Sequence, residues 1–326
     1  GEDGVIGGEN DRHQIDVRPD TPPRVSIESP DANVFVTADA SVPLRAVVRD
    51  DLAIRQIDLR YSRSDQSDDG EQTIKLYEGP PQAPGPQAGA PAVLGETREI
   101  EFTWNLRDLG ELPEGTAIVF SVAAGDYLPQ EDQSPPRRIT IITRGQLEDR
   151  IAQRQSFLLG QIAETLAVQR EVRSQTGGLQ VQFEATGEVA QGDVVDMQSA
   201  ELNQRRVQRL LTGEQDGVLA QINALLRIVA QNRLDNPDLV RRMERLHKGV
   251  RAIDEELLTE IQRNLLTGLK AGQNALRNAG EENAGGEPAR EVHTLVNKAA
   301  AAQDETIARL EGLLGNLSQW DSYRRF

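Results

Sequence analysis

Three aspartates could bind a cation, because each lies at the end of a segment with strand-like alternation. Asp50 and Asp51 end one such segment, and Asp126 lies in the sequence Gly-Asp-Tyr-Leu-Pro after another. We expect both positions at one end of a β-sandwich, where clustered carboxylates would suit Ca²⁺, a cation that prefers oxygen ligands. The alternative is that Asp50 and Asp126 cap turns by accepting hydrogen bonds from main-chain NH groups. Turn capping is the simpler prediction. If a calcium site is present instead, Asp50, Asp51 and Asp126 are its candidate ligands.

A second acidic segment imitates the start of a calcium-binding loop. Asp65, Ser67 and Asp69 supply oxygen ligands at alternate positions, and Gly70 follows them. The twelfth position of such a loop needs a bidentate glutamate, but this position is Leu76. The segment therefore predicts an acidic hairpin turn.

Groupings typical of a catalytic site are rare in the sequence. The three histidines, His13, His247 and His293, lack a second histidine or an acidic residue at metal-ligand spacing, and the chain has no cysteine. No GxSxG, Walker or GxGxxG motif is present. Glu99 and Glu101 resemble the carboxylate pair of a glycosidase, but alternation favours a solvated stripe on a strand. We predict no catalytic residue, no cofactor and no enzyme activity.

The composition argues against some classes of partner. The chain has 326 residues and a net charge of −16, whereas a nucleic-acid site needs clustered lysine and arginine. No apolar run approaches the roughly 18 residues of a membrane span. The chain begins with Gly1 and shows no signal peptide. We expect an excised segment of a larger protein that makes no direct membrane span and binds no nucleic acid.

The chain changes character near residue 144. Of the 16 prolines, only Pro237 and Pro288 follow that point. Residues 1–143 have a net charge of −13, from 26 acidic and 13 basic side chains, whereas residues 144–326 have a net charge of −3. These shifts predict an acidic β domain joined to a nearly neutral helical region.

Period-two alternation predicts about seven short strands in the first part. The alternating apolar positions are Val25 and Ile27, Val42 to Val48, Ile57 to Tyr61, Ile74 and Leu76, Ile100 to Leu106, Ile118 to Ala124, and Ile139 and Ile141. Turn signals between these segments favour an antiparallel sandwich. The Pro-, Gly- and Ala-rich residues 79–95 predict a flexible loop.

The second part has helical spacing. Apolar residues from Leu147 to Leu166 lie on one face of a first helix, and the glycines within 174–193 predict a break. The sequence Asn236-Pro237-Asp238 predicts a helix start, with a capping Asn, a Pro in the first turn and an acid at the positive end of the helix dipole.

The helix after that start carries a predicted coiled-coil seam. Its positions are Met243, Leu246, Val250, Ile253 and Leu257, which are separated by 3, 4, 3 and 4 residues. Ile261, Leu265 and Leu269 then follow in steps of four, which indicates a straighter or right-handed course. A last helix opens at Glu287-Pro288. The region is therefore predicted to be a multi-helix bundle.

Residues 20–175 resemble a known combination of modules. The segments PRVSIESP, LRAVVRDDLAIRQIDLRYS and FSVAAGDYLPQEDQSPPRRITI resemble bacterial Ig-like modules. The segment LEDRIAQRQSFLLGQIAETL resembles the start of the helical region in large, uncharacterised, membrane-anchored planctomycete proteins. The resemblance implies a location outside the cytoplasm and a structural or binding role, with no catalytic residues.

The predicted fold class is α+β in separate domains. Residues 1–19 form a linker or the tail of a preceding module, 20–143 an antiparallel Ig-like β-sandwich, and 144–326 an all-α helical bundle or coiled-coil region. The predicted function is a non-catalytic, extracytoplasmic structural or interaction segment of a membrane-anchored envelope protein. Its helical region would bind a protein partner or self-associate. The alternatives are a module that recognises carbohydrate or protein, and an accessory segment of an enzyme whose catalytic domain lies elsewhere.

Overall fold

The computed structural model describes residues 20–66, 70–82, 95–278 and 286–324. The predictions for residues 1–19 and for most of the loop 79–95 therefore lie outside the described residues. The chain divides into two compact units, one ending at Ile142 and one beginning at Thr143. We call them the β unit and the helical unit.

The strands of the β unit include all seven predicted from alternation. The strands are β1 (Arg24–Ser29), β2 (Val34–Val36), β3 (Ser41–Asp50), β4 (Ile54–Arg63), β5 (Gln72–Glu78), β6 (Glu96–Asn105), β7 (Ala117–Asp126), β8 (Glu131–Gln133) and β9 (Arg137–Ile141). The short strands β2 and β8 were not predicted, because three residues are too few to show a period.

The described strands form two sheets. One sheet has the order β1-β3-β6 and is antiparallel. The other has the order β2-β9-β7-β4-β5, with β8 also paired to β7. In that sheet β2 runs parallel to β9, and the other pairs are antiparallel. The chain therefore has an N-terminal β region, mostly antiparallel, followed by helices.

One apolar core lies between strands of both sheets. Alternate residues of β3, from Val42 to Val48, are buried together with side chains of β4 and β7. Trp104 lies at the centre, with its ring 5.1 Å from Tyr61 and 5.6 Å from Phe120 in edge-to-face geometry. Trp104 is only 2% exposed and is therefore a core residue.

The helical unit consists of long helices with short connections. Its elements are α1 (Arg144–Thr186), α2 (Gln191–Thr212), α3 (Val218–Gln231), α4 (Pro237–Ala252), a π-helical segment (Ile253–Leu258), α5 (Thr259–Asn278) and α6 (Gly286–Arg324). Thr143 and Gln146 form a capping box at the start of α1. Within the described residues, no helix is long and apolar enough to span a membrane.

The predicted break at 174–193 is only partly correct. Helix α1 continues through Gly177 and Gly178 and ends at Thr186, where Gly187 has a left-handed conformation with φ of 66°. The helix survives the two glycines because Leu179 and Phe183 are buried against α2, α5 and α6. Tertiary burial there outweighs the roughly 1 kcal/mol helix penalty of each glycine.

The predicted helix start at Asn236 is confirmed. The Asn236 side chain accepts a hydrogen bond from the Leu239 main-chain NH at 3.1 Å, and Pro237 occupies the first turn. From there α4, the π segment and α5 follow one another without a gap to Asn278. Every residue of the predicted seam, from Met243 to Leu257, is buried.

Candidate functional site

Four aspartates meet at one end of the β unit, which we call the acidic end. Asp50 is the last residue of β3 and Asp126 is the last residue of β7. Asp51 follows β3 directly, and Asp20 precedes β1. Burial raises the pKa of Asp50, and the charges of Asp126, Asp51 and Asp20 raise it further. The structure thus brings together the three predicted candidate ligands and adds Asp20.

One oxygen of each strand-ending aspartate caps a turn. Asp50 Oδ2 accepts a hydrogen bond from the Leu52 main-chain NH at 3.0 Å. Asp126 Oδ1 accepts one from the Gln130 main-chain NH at 3.1 Å. These contacts have the geometry of the turn-capping interpretation, because a short acidic side chain binds the backbone NH a few residues later.

The other oxygen of each of these aspartates is buried without a hydrogen-bond partner. These atoms are Asp50 Oδ1 and Asp126 Oδ2, and the two residues are only 7% and 5% exposed. Asp20 Oδ1 is a third atom in the same condition. Buried polar atoms are hydrogen-bonded in the large majority of cases, so three unpartnered carboxylate oxygens in one place require an explanation.

Polar neighbours hold the remaining carboxylates of the acidic end. Asp51 Oδ1 accepts hydrogen bonds from the Thr21 hydroxyl at 2.9 Å and from the Thr21 main-chain NH at 3.3 Å. The hydroxyl contact is the largest cause of the lowered pKa of Asp51. Asp20 Oδ2 accepts a hydrogen bond from Gln130 Nε2 at 2.8 Å. Thr21 and Gln130, which the sequence did not single out, therefore fix the orientations of two carboxylates.

A cavity of about 360 Å³ lies at the acidic end. Its lining residues are Asp20, Leu52, Ala53, Asp126, Tyr127 and Leu128. Leu52 is 55% exposed and Leu128 is 51% exposed, so two apolar side chains border the cavity beside the carboxylates. The Tyr127 hydroxyl donates a hydrogen bond to the Pro80 carbonyl at 2.7 Å and so holds one wall of the cavity.

Among the described residues, the other candidate groups do not form a site. Asp65 pairs with Arg63 at 2.6 Å, and its predicted partners Ser67 and Asp69 lie outside the described residues. The exposed Glu99 pairs with Arg45 at 2.9 Å. Glu101 lies 4.0 Å from the same arginine, so the glutamate stripe is a solvated ion-pair network.

The described histidines have structural neighbours. His293 stacks edge-to-face on Phe183 at 6.4 Å and contacts Asn297 at 3.2 Å, and His247 lies beside the buried Leu246 of α4. His13 lies outside the described residues. In the part of the chain that the structure describes, no group of three or more His, Asp or Glu side chains is arranged to hold a metal ion. A cation at the acidic end would therefore need main-chain oxygens or water among its ligands.

The helical unit buries polar groups of a different kind. Gln169 of α1, Gln204 of α2 and Gln303 of α6 are at most 1% exposed, and we call them the amide layer. Gln204 Nε2 donates to Gln169 Oε1 at 2.9 Å, and Gln303 Nε2 donates to Gln204 Oε1 at 3.1 Å. The layer joins three helices through neutral hydrogen bonds.

Comparisons with known proteins leave the chain without a family. No family model and no curated protein matches it. A solved structure with some similarity is that of Astrotactin-2, a vertebrate-specific, perforin-like membrane protein involved in neuronal development. The identity is 11% and the TM-score is 0.20, over 68% of this chain and 38% of that one. This level of similarity carries no argument about fold or function.

Proposed function

We propose that this chain is a non-catalytic structural and interaction segment of a larger bacterial envelope protein. In this proposal the β unit is an Ig-like sandwich, the helical unit has coiled-coil character, and both lie outside the cytoplasm. The resemblance of residues 20–175 to Ig-like modules followed by helical regions supports the placement. The two-sheet arrangement around one core supports the sandwich.

The observation that carries the structural role is the pairing of α1 with α6. The contacts are Arg170 with Glu311 at 2.6 Å, Arg173 with Asp304 at 2.7 Å, and Gln180 with Asn297 at 2.7 Å. The α6 numbers fall as the α1 numbers rise, so the two helices are antiparallel. A helix of 43 residues is about 65 Å long. Such a length needs a partner along its face, which favours a scaffold.

Exposed apolar side chains support an interaction role for the helical unit. Phe157 and Val181 of α1 are 58% and 67% exposed, and Val195 and Leu202 of α2 are each 53% exposed. We propose that these residues contact a protein partner or a second copy of the chain. Light scattering over a range of concentrations tests self-association. A dimer that dissociates in a Phe157→Ser variant supports it, and a monomer at every concentration points to a different protein.

Recognition by the β unit is a second candidate function. The exposed Leu52 and Leu128 beside the cavity favour it, because apolar side chains rimmed by polar groups are typical of binding surfaces. A partner identified by cross-linking in the source cell should bind the double variant Leu52→Ser, Leu128→Ser about tenfold more weakly. Unchanged affinity would remove this candidate.

Protease protection tests the extracytoplasmic placement. Spheroplasts of the source bacterium are treated with protease, and the parent protein is followed with an antibody against this chain. We expect degradation of the parent protein while a cytosolic marker survives. Protection of both proteins until the membrane is lysed would contradict the placement.

A further inference from the structure

The unpartnered oxygens of the acidic end need a positive counterpart. Asp50 and Asp126 are buried, and the charge of Asp126 is felt by Asp50. Each caps a turn with one carboxylate oxygen and leaves the other without a hydrogen-bond partner. The charges that raise their pKa values are those of other carboxylates: Asp126, Asp51 and Asp20 act on Asp50, and Asp20 and Asp51 act on Asp126. A buried charge of this kind is expensive unless it is paired or coordinates a metal. A metal cation between these carboxylates would supply the positive charge.

We propose that the acidic end binds one Ca²⁺ ion through Asp50 Oδ1 and Asp126 Oδ2. Ca²⁺ takes six to eight oxygen ligands, which include main-chain carbonyls and water as well as carboxylates. Two carboxylates with main-chain oxygens and water are therefore enough. Main-chain oxygens and water are needed because, among the described residues, no three acidic side chains form a metal cage. Asp20 and Asp51 add negative charge beside the ion.

The ligand chemistry distinguishes Ca²⁺ from other cations. Every polar side-chain atom of the four aspartates is a carboxylate oxygen, which suits a hard cation and not zinc or copper. Main-chain oxygen is also at hand, because the Gln130 carbonyl lies in this turn and accepts a hydrogen bond from the Asp126 NH at 3.2 Å. Mg²⁺ demands near-ideal octahedral geometry and dehydrates reluctantly, so it should bind more weakly than Ca²⁺. A site with few carboxylates in direct contact is expected to bind in the 10⁻⁴ to 10⁻³ M range of extracellular modules.

The cation would join parts of the chain that are far apart in sequence. Asp50 ends a strand of one sheet and Asp126 ends a strand of the other. An ion held between them would therefore fix the two sheet ends relative to each other. This inference goes beyond the proposed function and does not depend on it, because the site belongs to the β unit wherever the parent protein is located.

Thermal unfolding of the full chain tests the proposal. The chain is first freed of metal with EDTA, and its melting is followed with and without 10 mM CaCl₂. When the Ca²⁺ concentration is about ten times the dissociation constant, the melting temperature of the β unit should rise by roughly 4–8 °C. The helical-unit transition should not move, and 10 mM MgCl₂ should produce a much smaller shift.

Matched variants locate the site. Asp126→Asn and Asp50→Asn should each abolish the calcium shift, because each removes a ligand charge. Asp58→Asn is the control, because Asp58 is also buried and has a raised pKa but lies within β4 among Arg60 and Lys75. A calcium shift that survives in Asp126→Asn and Asp50→Asn would overturn the proposal. So would the absence of any shift in the unchanged chain.

Terbium luminescence gives a measurement that leaves the proposed ligands Asp50 and Asp126 unchanged. Tb³⁺ replaces Ca²⁺ at oxygen sites and is excited through nearby tyrosine, and Tyr127 lies directly after Asp126 in the same cavity. Tb³⁺ should give a saturable signal in the unchanged chain, which Ca²⁺ displaces and which falls severalfold in Tyr127→Phe. A signal that Ca²⁺ does not displace, or that Tyr127→Phe leaves intact, would contradict binding at this site.

Discussion

The two units differ in the main kind of polar group that they bury. The β unit places aspartates at one end, where two strands stop, and leaves an oxygen of each without a partner. The helical unit places neutral amides in its interior, where Gln204 is hydrogen-bonded to both Gln169 and Gln303, although Gln303 Oε1 is itself left without a partner. Amides carry donors and acceptors together and can be satisfied within the protein, whereas carboxylates only accept. Interior polar groups therefore suit assembly of helices, and the carboxylates at the end suit an external cation.

The largest expected effect is the loss of a core side chain in one unit alone. Phe120→Ala should reduce the stability of the β unit by about 3–5 kcal/mol, and Leu246→Ala should reduce that of the helical unit by about 2–5 kcal/mol. Both residues are nearly fully buried, at 2% and 3% exposure. Calorimetry should show two unfolding transitions. If each variant lowers the temperature of only one of them, the two cores are independent. If each variant lowered both transitions equally, the units could not be treated as separate.

The amide layer gives the next largest effect. Gln204→Leu should reduce stability by about 1–3 kcal/mol, because it leaves the buried amides of Gln169 and Gln303 without their partner. Replacing all three glutamines by leucine should be nearly neutral or stabilising. Chemical denaturation measures both variants. A triple variant that is less stable than Gln204→Leu would mean that the hydrogen bonds of the amide layer make a net contribution to the stability of the helical unit.

Asp58 gives a smaller and pH-dependent effect in the β unit. Burial raises its pKa, and Arg60 and Lys75 offset this in part, while Glu131 and Glu78 add to it. A carboxyl with a folded-state pKa above its unfolded value favours folding at low pH, and this contribution is lost as the pH rises through the folded pKa. The gain in stability of the β unit from Asp58→Asn, measured against the unchanged chain, should therefore be larger at pH 7 than at pH 4. Thermal melting of the variant and of the unchanged chain at both pH values measures this gain. A larger gain at pH 4 than at pH 7 would contradict the prediction.

The smallest effect is expected on the solvent face of α4. Arg245 and Lys248 are exposed, so their alanine variants should change the free energy of unfolding by less than about 0.5 kcal/mol. Leu246, between them in sequence, provides the contrast. Chemical denaturation that finds similar losses at Lys248 and Leu246 would contradict the buried seam.

Local patterns predicted the elements well, because periodicity and capping act within a few residues. The seven alternating strands and the Asn236 cap are examples. Prediction failed where distant residues decide, as at Gly177 and Gly178, where packing by α2, α5 and α6 maintains the helix. The acidic end shows the same limit. Asp50, Asp51 and Asp126 were selected from their positions after strands, but Asp20 and Gln130 join them only through folding, and no local pattern marks them.

The π segment Ile253–Leu258 has a consequence for the partners of the helix that contains it. Helix α4 packs mainly on α3, whereas α5 packs on α2 and α6. An added residue turns the following helix by about 100° relative to an uninterrupted α-helix, since there are 3.6 residues per turn. The adjacent Leu257 and Leu258 are both buried, which marks the place where the apolar stripe changes direction. Deletion of one residue in this segment would remove the π turn and rotate the apolar stripe of α5 away from α2 and α6.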